Sequence, residues 1–253
     1  MIRLLLLACM TAAPVFAGSA DQAGYFDDST SGGHDLFVEA NLVGTFYHEL
    51  GHALIDTMDL PVLGREEDAA DTLSVLLIDE IWEPESALAI AQGTAVAWML
   101  SAAEAEEEDP AFWDVHGHDL QRYYNTVCLW YGGDPDNRGD FATEFELPPE
   151  RAETCSEEFD QAWSSWFAYL DEAVEGAPGK ALSFVGETAD PASRIIAEEV
   201  RSVNALLALP VDITVSVEQC GEANAFYDPA EKHIEICQEY GDWLSATAVQ
   251  VDL

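Results

Sequence analysis

A chain of 253 residues is long enough for one large domain or two small ones, and 49% of it is hydrophobic, so it can bury a sizeable core. It carries 49 acidic residues against 9 lysines and arginines, a formal net charge of −40. A field of that sign repels phosphate backbones and anionic lipid, which excludes nucleic acid and a stable attachment to an anionic membrane as expected partners.

The first 17 residues read as an export signal. Arg3 is the short positive region, Leu4 to Met10 the apolar core, and Val15-Phe16-Ala17 a small-residue cleavage site ahead of Gly18. Leu6-Leu7-Ala8-Cys9 also has the form of a lipoprotein signal, but Cys9 leaves too little apolar length before it, so a periplasmic or extracellular location is the better expectation. The signal is too short to span a bilayer, and no later segment is expected to reach spanning length. Export makes the remaining cysteines Cys128, Cys155, Cys220 and Cys237 candidates for two disulfides. Of three connectivities, Cys128–Cys155 with Cys220–Cys237 is favoured, one tying successive helices and the other clipping adjacent strands.

Residues 18–34 are small, polar and rich in Gly, Ser and Asp, a flexible lead-in to one domain over 35–253. A helix from Leu36 to Met58 follows, with Leu42, Phe46, Leu50 and Leu54 at helical spacing on a buried face. It contains His48-Glu49-Leu50-Gly51-His52. Four residues apart on a helix, the two imidazoles stand about 6 Å apart on one face, the bite needed to hold one zinc ion. Glu49, beside the first histidine, is placed to take a proton from a zinc-bound water.

Two histidines leave a catalytic zinc site one protein ligand short. The metzincin completion needs Gly and His where this chain has Ile55 and Met58, so it is excluded. Pro61 and Gly64 turn the chain into a second helix, Glu66 to Ile81, whose first turn reads Glu66-Glu67-Asp68-Ala69-Ala70-Asp71. Folded back on the first helix, it offers Glu67 as third ligand and Asp71 as acceptor for a ligand histidine's other N–H. Glu66 is the competing ligand; otherwise Glu66 and Asp68 point away.

Further helices are expected over 85–107, 116–131, 149–173 and 193–209, with loops at 134–147 and 176–191. The period then changes: Ile213, Val215 and Val217 alternate with polar residues, and so does His233-Ile234-Glu235-Ile236-Cys237. With Asp228-Pro229 as a turn and Asn224 to Tyr227 extending one strand, these predict a C-terminal β-hairpin over about 211–240. The fold class is mainly α with a small β-hairpin or sheet (α+β), a zincin-like helical core in which the motif helix packs on the second ligand-bearing helix.

The runs Tyr47 to Asp56, Asp59 to Asp71, Gln121-Arg122-Tyr123-Tyr124-Asn125 with Cys128 and Tyr131-Gly132, and Asn224-Ala225-Phe226-Tyr227-Asp228-Pro229 with Cys220 and Cys237 resemble bacterial exported metallopeptidases of gluzincin type, a family catalogued as a domain of unknown function. The resemblance covers most of the mature chain. It implies zinc at His48, His52 and Glu67, with Glu49 catalytic. In the relatives the Asn-Ala-Phe-Tyr hairpin precedes the zinc helix; here it follows, a permuted order.

Weaker signals have plainer readings. His116 and His118 fit the capped start of a helix better than a histidine steadying a reaction intermediate, and Tyr123 and Tyr124 fit core better than oxyanion donors. Asp134 to Asp140 is a poor calcium loop, with Arg138 at a ligand place and Phe145 where the bidentate glutamate belongs. His233 is a strand residue. The sequence therefore predicts an exported Zn²⁺-dependent peptidase acting on peptide or protein substrates. The alternative is a non-enzymatic, zinc-stabilised binding protein, which has no use for Glu49 as a base.

Overall fold

The computed structural model describes residues 33–105, 112–175 and 182–250; the expected signal, most of the lead-in and the extreme C-terminus lie outside them. Helix α1 (Gly33–Thr57) is the hub. It is apolar on almost every side, burying Phe37, Leu42, Val43, Phe46, Leu50 and Leu54 among others. Such a helix has to be wrapped. Helices α2 (Glu66–Ile81), α3 (Pro84–Ala105), α7 (Pro191–Leu206) and α8 (Gln238–Gln250) all lie against it. Helix α4 (Asp119–Gly133) packs on α3 and α2, the short α5 (Gly139–Glu144) joins it, and α6 (Pro149–Glu175) covers its far side. With the sheet, these elements share a continuous apolar core. Helix α2 starts and stops where the acidic first turn predicts.

Two places explain why helices approach closely. A Cβ on Gly51 would stand 3.2 Å from Ala70 Cα, so glycine facing alanine lets α1 and α2 touch backbone to backbone beside the histidines. At Gly132 a Cβ would meet the Cys155 carbonyl oxygen at 2.3 Å, so α4 and α6 lie flush where Cys128 and Cys155 form a disulfide with Cα atoms 5.2 Å apart. Cys220 and Cys237 form the second, at 5.4 Å. Both favoured pairings hold, and two disulfides fit an oxidising compartment.

The sheet corrects the expected topology. It has four strands in the order β1 (Leu182–Phe184), β2 (Ile213–Glu218), β4 (His233–Cys237), β3 (Ala225–Asp228). The two alternating runs, read as hairpin partners, are parallel neighbours with Val215 opposite Ile234, and the hairpin is β3–β4. Alternation reports which face is buried, and is blind to strand direction. Strand β1 and helices α5 and α8 fall in stretches read as loop or left unread. Helix α3 corrects another expectation: Pro84–Ala103 is, by length and composition, apolar enough to cross a membrane, with a mean hydropathy of 1.3. Its alanines pack against α1 and α4, where Ala87, Ile90, Ala91 and Ala95 are buried.

Behind the motif, α7 buries Glu199 to 1% exposure, and neither carboxyl oxygen has a hydrogen-bond partner at ordinary geometry. Burial pushes this carboxyl up to about 8, against the pull of the facing Tyr47 hydroxyl and with Glu39 and Glu198 adding to the rise. Glu39, on α1, is pushed up to about 7 by burial and by Asp35. A carboxyl that holds its proton in the fold and loses it when unfolded contributes stability that is full below about 4.5 and lost as pH rises through about 8. The melting temperature is therefore expected to fall between about pH 5 and 9, and Glu199→Gln to flatten that fall by several degrees, at ~2–4 °C for each kcal/mol in a chain of this size. Parallel pH profiles for the two proteins would contradict the assignment.

Candidate metal centre

On α1, residues 41, 45, 48, 52 and 56 recur at helical spacing, and Asn41, Thr45, His48, His52 and Asp56 all line one cavity of about 930 Å³. Facing them across the Gly51–Ala70 contact is the first turn and a half of α2. Three donor atoms meet there. His48 Nε2 and His52 Nε2 are 3.3 Å apart, and Glu67 Oε2 lies 3.3 Å from the first and 3.2 Å from the second. A tetrahedral ion with bonds of about 2.0–2.1 Å separates its ligand atoms by about 3.3–3.4 Å. The triangle thus has the size of one face of such a tetrahedron, and its donor chemistry, two imidazoles and a carboxylate, suits zinc. Among the described residues no fourth His, Cys, Asp or Glu places a ligand atom within 4.8 Å of all three.

Each imidazole is oriented from behind. His48 Nδ1 lies 2.9 Å from Asp71 Oδ1, and His52 Nδ1 lies 2.9 Å from Glu66 Oε1. A carboxylate on Nδ1 fixes the proton there and leaves Nε2 as the donor. Glu66, expected to point away, instead holds His52; Asp68 does turn outward, to Arg65. Asp71 is itself gripped by Arg122 of α4, with Nε and Nη2 donating to its two oxygens at 2.8 Å each, and the guanidinium sits 4.0 Å above the Trp98 ring. Arg122 lies 51 residues from its partner. Nothing local in the sequence assigns it this place.

The charges are strongly coupled. Burial alone would lower the His48 pKa, but its bonds to Asp71 and Glu67 win and hold it at about 10. Glu67 is held well below the carboxylate range by His48 and His52. Burial works to raise Asp71, yet His48 and Arg122 bring it to about 2. Three carboxylates thus converge on two imidazoles, a donor set with an excess of negative charge that a divalent cation would neutralise. Glu49 differs from them. It is 6% exposed, lines the same cavity, and its pKa is raised by burial, with the nearby histidines pulling the other way.

His116 belongs to this site, contrary to its plainer reading. Its Nε2 lies 3.1 Å from Glu67 Oε2, and Asp114 Oδ1 takes its Nδ1 at 3.0 Å and accepts its backbone N–H at 2.8 Å. His118 packs on Phe112 and makes no side-chain cap. Tyr123 donates to the Phe145 carbonyl, away from the cavity. Arg138, at the ligand place of the poor calcium loop, is instead buried against Asp79 and the Trp130 carbonyl. His233 spans Thr214 and Ser216 within the sheet.

The Asn224–Tyr227 segment reaches the cavity although it follows the motif helix by more than 160 residues. Tyr227 Oη donates to Asp56 Oδ2 at 2.6 Å and Lys232 Nζ to the same oxygen, clasping the β3–β4 hairpin to α1. His34 of α1 meets the Ser245 carbonyl of α8 at 3.1 Å, so the end of the described chain lies beside its beginning. The hairpin, late in the sequence, thus lines the same cleft as the motif helix.

Comparison with known proteins adds one result. No curated protein and no solved structure matches this chain at a significant level. A family described as "Putative metallopeptidase" matches it over residues 20–170 and 189–250, most of the chain and all of the site. The chain belongs to this metallopeptidase family.

Proposed function

We propose that this protein is an exported, zinc-dependent peptidase, with His48, His52 and Glu67 as metal ligands and Glu49 as general base. The observation that carries the reading is the triangle of three donor atoms with edges of 3.2–3.3 Å beside a buried carboxylate that takes no part in it. A structural zinc site is closed by a fourth protein ligand and needs no base, whereas a catalytic one keeps a position open. The family supports peptide or protein as substrate, and the leader at 1–17 with the two disulfides supports a periplasmic or extracellular location.

Zinc bound there would lower the pKa of a water towards about 7 and polarise a carbonyl oxygen. Glu49 takes the proton from the attacking water and carries it to the departing amine; its buried position, which raises its pKa, suits it to accept. Asp71 and Glu66 keep the imidazoles pointed at one place, and Arg122 keeps Asp71 there. His116, held at Nδ1 by Asp114 and with Nε2 at Glu67 Oε2, steadies the carboxylate that would complete the ligand set. Strand β3 is the sheet edge along the cavity. Asn224 O is bonded to Cys237 N, so the backbone carbonyls of Ala225 and Tyr227 face the open side, where an extended peptide can add as a further strand.

Hydrolysis of quenched fluorescent peptides is expected to require zinc, to stop on chelation and to return on reloading. Glu49→Gln should lower kcat by about 10²–10⁴-fold with one zinc still bound; activity that persists in this variant would overturn the mechanism. Glu67→Gln should weaken zinc binding by at least ~10-fold in a chelator competition, the scale on which even supporting residues act. Unchanged affinity would remove Glu67 from the ligand set.

A further inference from the structure

We infer that the cleft selects cationic peptides, substrates whose Lys or Arg side chains flank the scissile bond. The inference rests on the peptidase reading above and names its substrate class. The carboxylates of Glu49, Asp56, Glu66, Glu67 and Asp71 line the cavity, against the single guanidinium of Arg122. That guanidinium donates from Nε and Nη2 to the two oxygens of Asp71. Even with a divalent ion added and Lys232 set against Asp56, five carboxylates face four positive charges around the cleft. Little else compensates, because the described cations are already held: Arg65 by Asp68, Arg138 by Asp79, Arg151 by Glu158, Arg201 by Glu198, and Lys232 by Asp56. Arg194 donates to the Ala189 carbonyl.

An independent feature points to the same ligand. The walls of the cavity are aromatic: Trp98 on one side, and Tyr227, with the stacked pair Tyr240 and Trp243, on the other. Trp98 already carries a guanidinium 4.0 Å above its ring, showing that the cavity accommodates cation–π contacts. A Lys or Arg side chain entering the opposite wall would lay its stem on an aromatic face and its charge among carboxylates. An acidic side chain there would face carboxylates, and the described cations beside the cleft, Arg122 and Lys232, are already paired with Asp71 and Asp56.

The test uses the zinc-loaded native protein and fluorescent peptides of one core sequence, made uncleavable by reduced core amides and flanked by Lys and Arg, by Gln, or by Glu, with binding read as anisotropy. The cationic peptide should bind at least ~10-fold tighter than the acidic one at ~20 mM NaCl, and the ratio should shrink below ~3-fold at ~0.5 M, where the screening length is only a few ångströms. For the unreduced peptides kcat/KM should follow the same order. Asp56→Asn should narrow the ratio and Glu153→Gln, exposed on α6 away from the cleft, should not, which separates the cleft from the acidity of the whole surface. Equal binding, a ratio that salt leaves unchanged, or equal narrowing by both variants would overturn the inference. Selective binding without cleavage of the unreduced peptides would defeat the peptidase reading and leave charge selection standing. Cleavage with no charge order would do the reverse.

Discussion

Everything at the site depends on the contact between α1 and α2, where Gly51 faces Ala70 and neither helix carries a bulky side chain. Two helices normally keep 8–10 Å between their axes because their side chains interdigitate. Here the backbones approach, and the side chains on either side of the contact, His48 and His52 from one helix and Glu67 and Asp71 from the other, are brought within bonding distance. The glycine inside the His-Glu-Leu-Gly-His run is thus part of the chemistry of the centre. It sets the distance at which the acidic turn of one helix can reach the histidines of the other.

Around that contact the structure spends its few cations locally and deliberately on position. Arg122 holds Asp71, Asp71 holds His48, and Glu66 holds His52, so both imidazoles are oriented by charge-assisted bonds. Lys232 and Tyr227 converge on Asp56, which anchors the β3–β4 hairpin to the end of the same helix. The elements that build the cleft come from both ends of the chain. That is tolerated because α1 is the common partner of α2, α3, α8 and the hairpin.

What could be read from the sequence was what is local. The two histidines, the glutamate between them and the acidic turn of α2 lie within 24 residues, and helical periodicity is enough to place them on facing surfaces. The disulfide pairs followed from element order, and α2 matched its expected ends. What escaped is long-range. Arg122 and His116 reach the site only because α4 packs beside α2, a contact that neither periodicity nor spacing encodes. The parallel pairing of β2 with β4 was hidden because alternation looks the same in either direction. Helices α5 and α8 were missed for a different reason: each is short or weakly amphipathic, and packing on α4 and α1 supports them more than their own pattern does.

The most direct measurement is X-ray absorption at the zinc edge of protein purified without chelator. The account predicts one zinc per chain, bound by two imidazole nitrogens and a carboxylate oxygen at about 2.0–2.2 Å, with a solvent oxygen completing the shell. A protein without zinc, or a shell closed by a third imidazole or by sulfur, would contradict it.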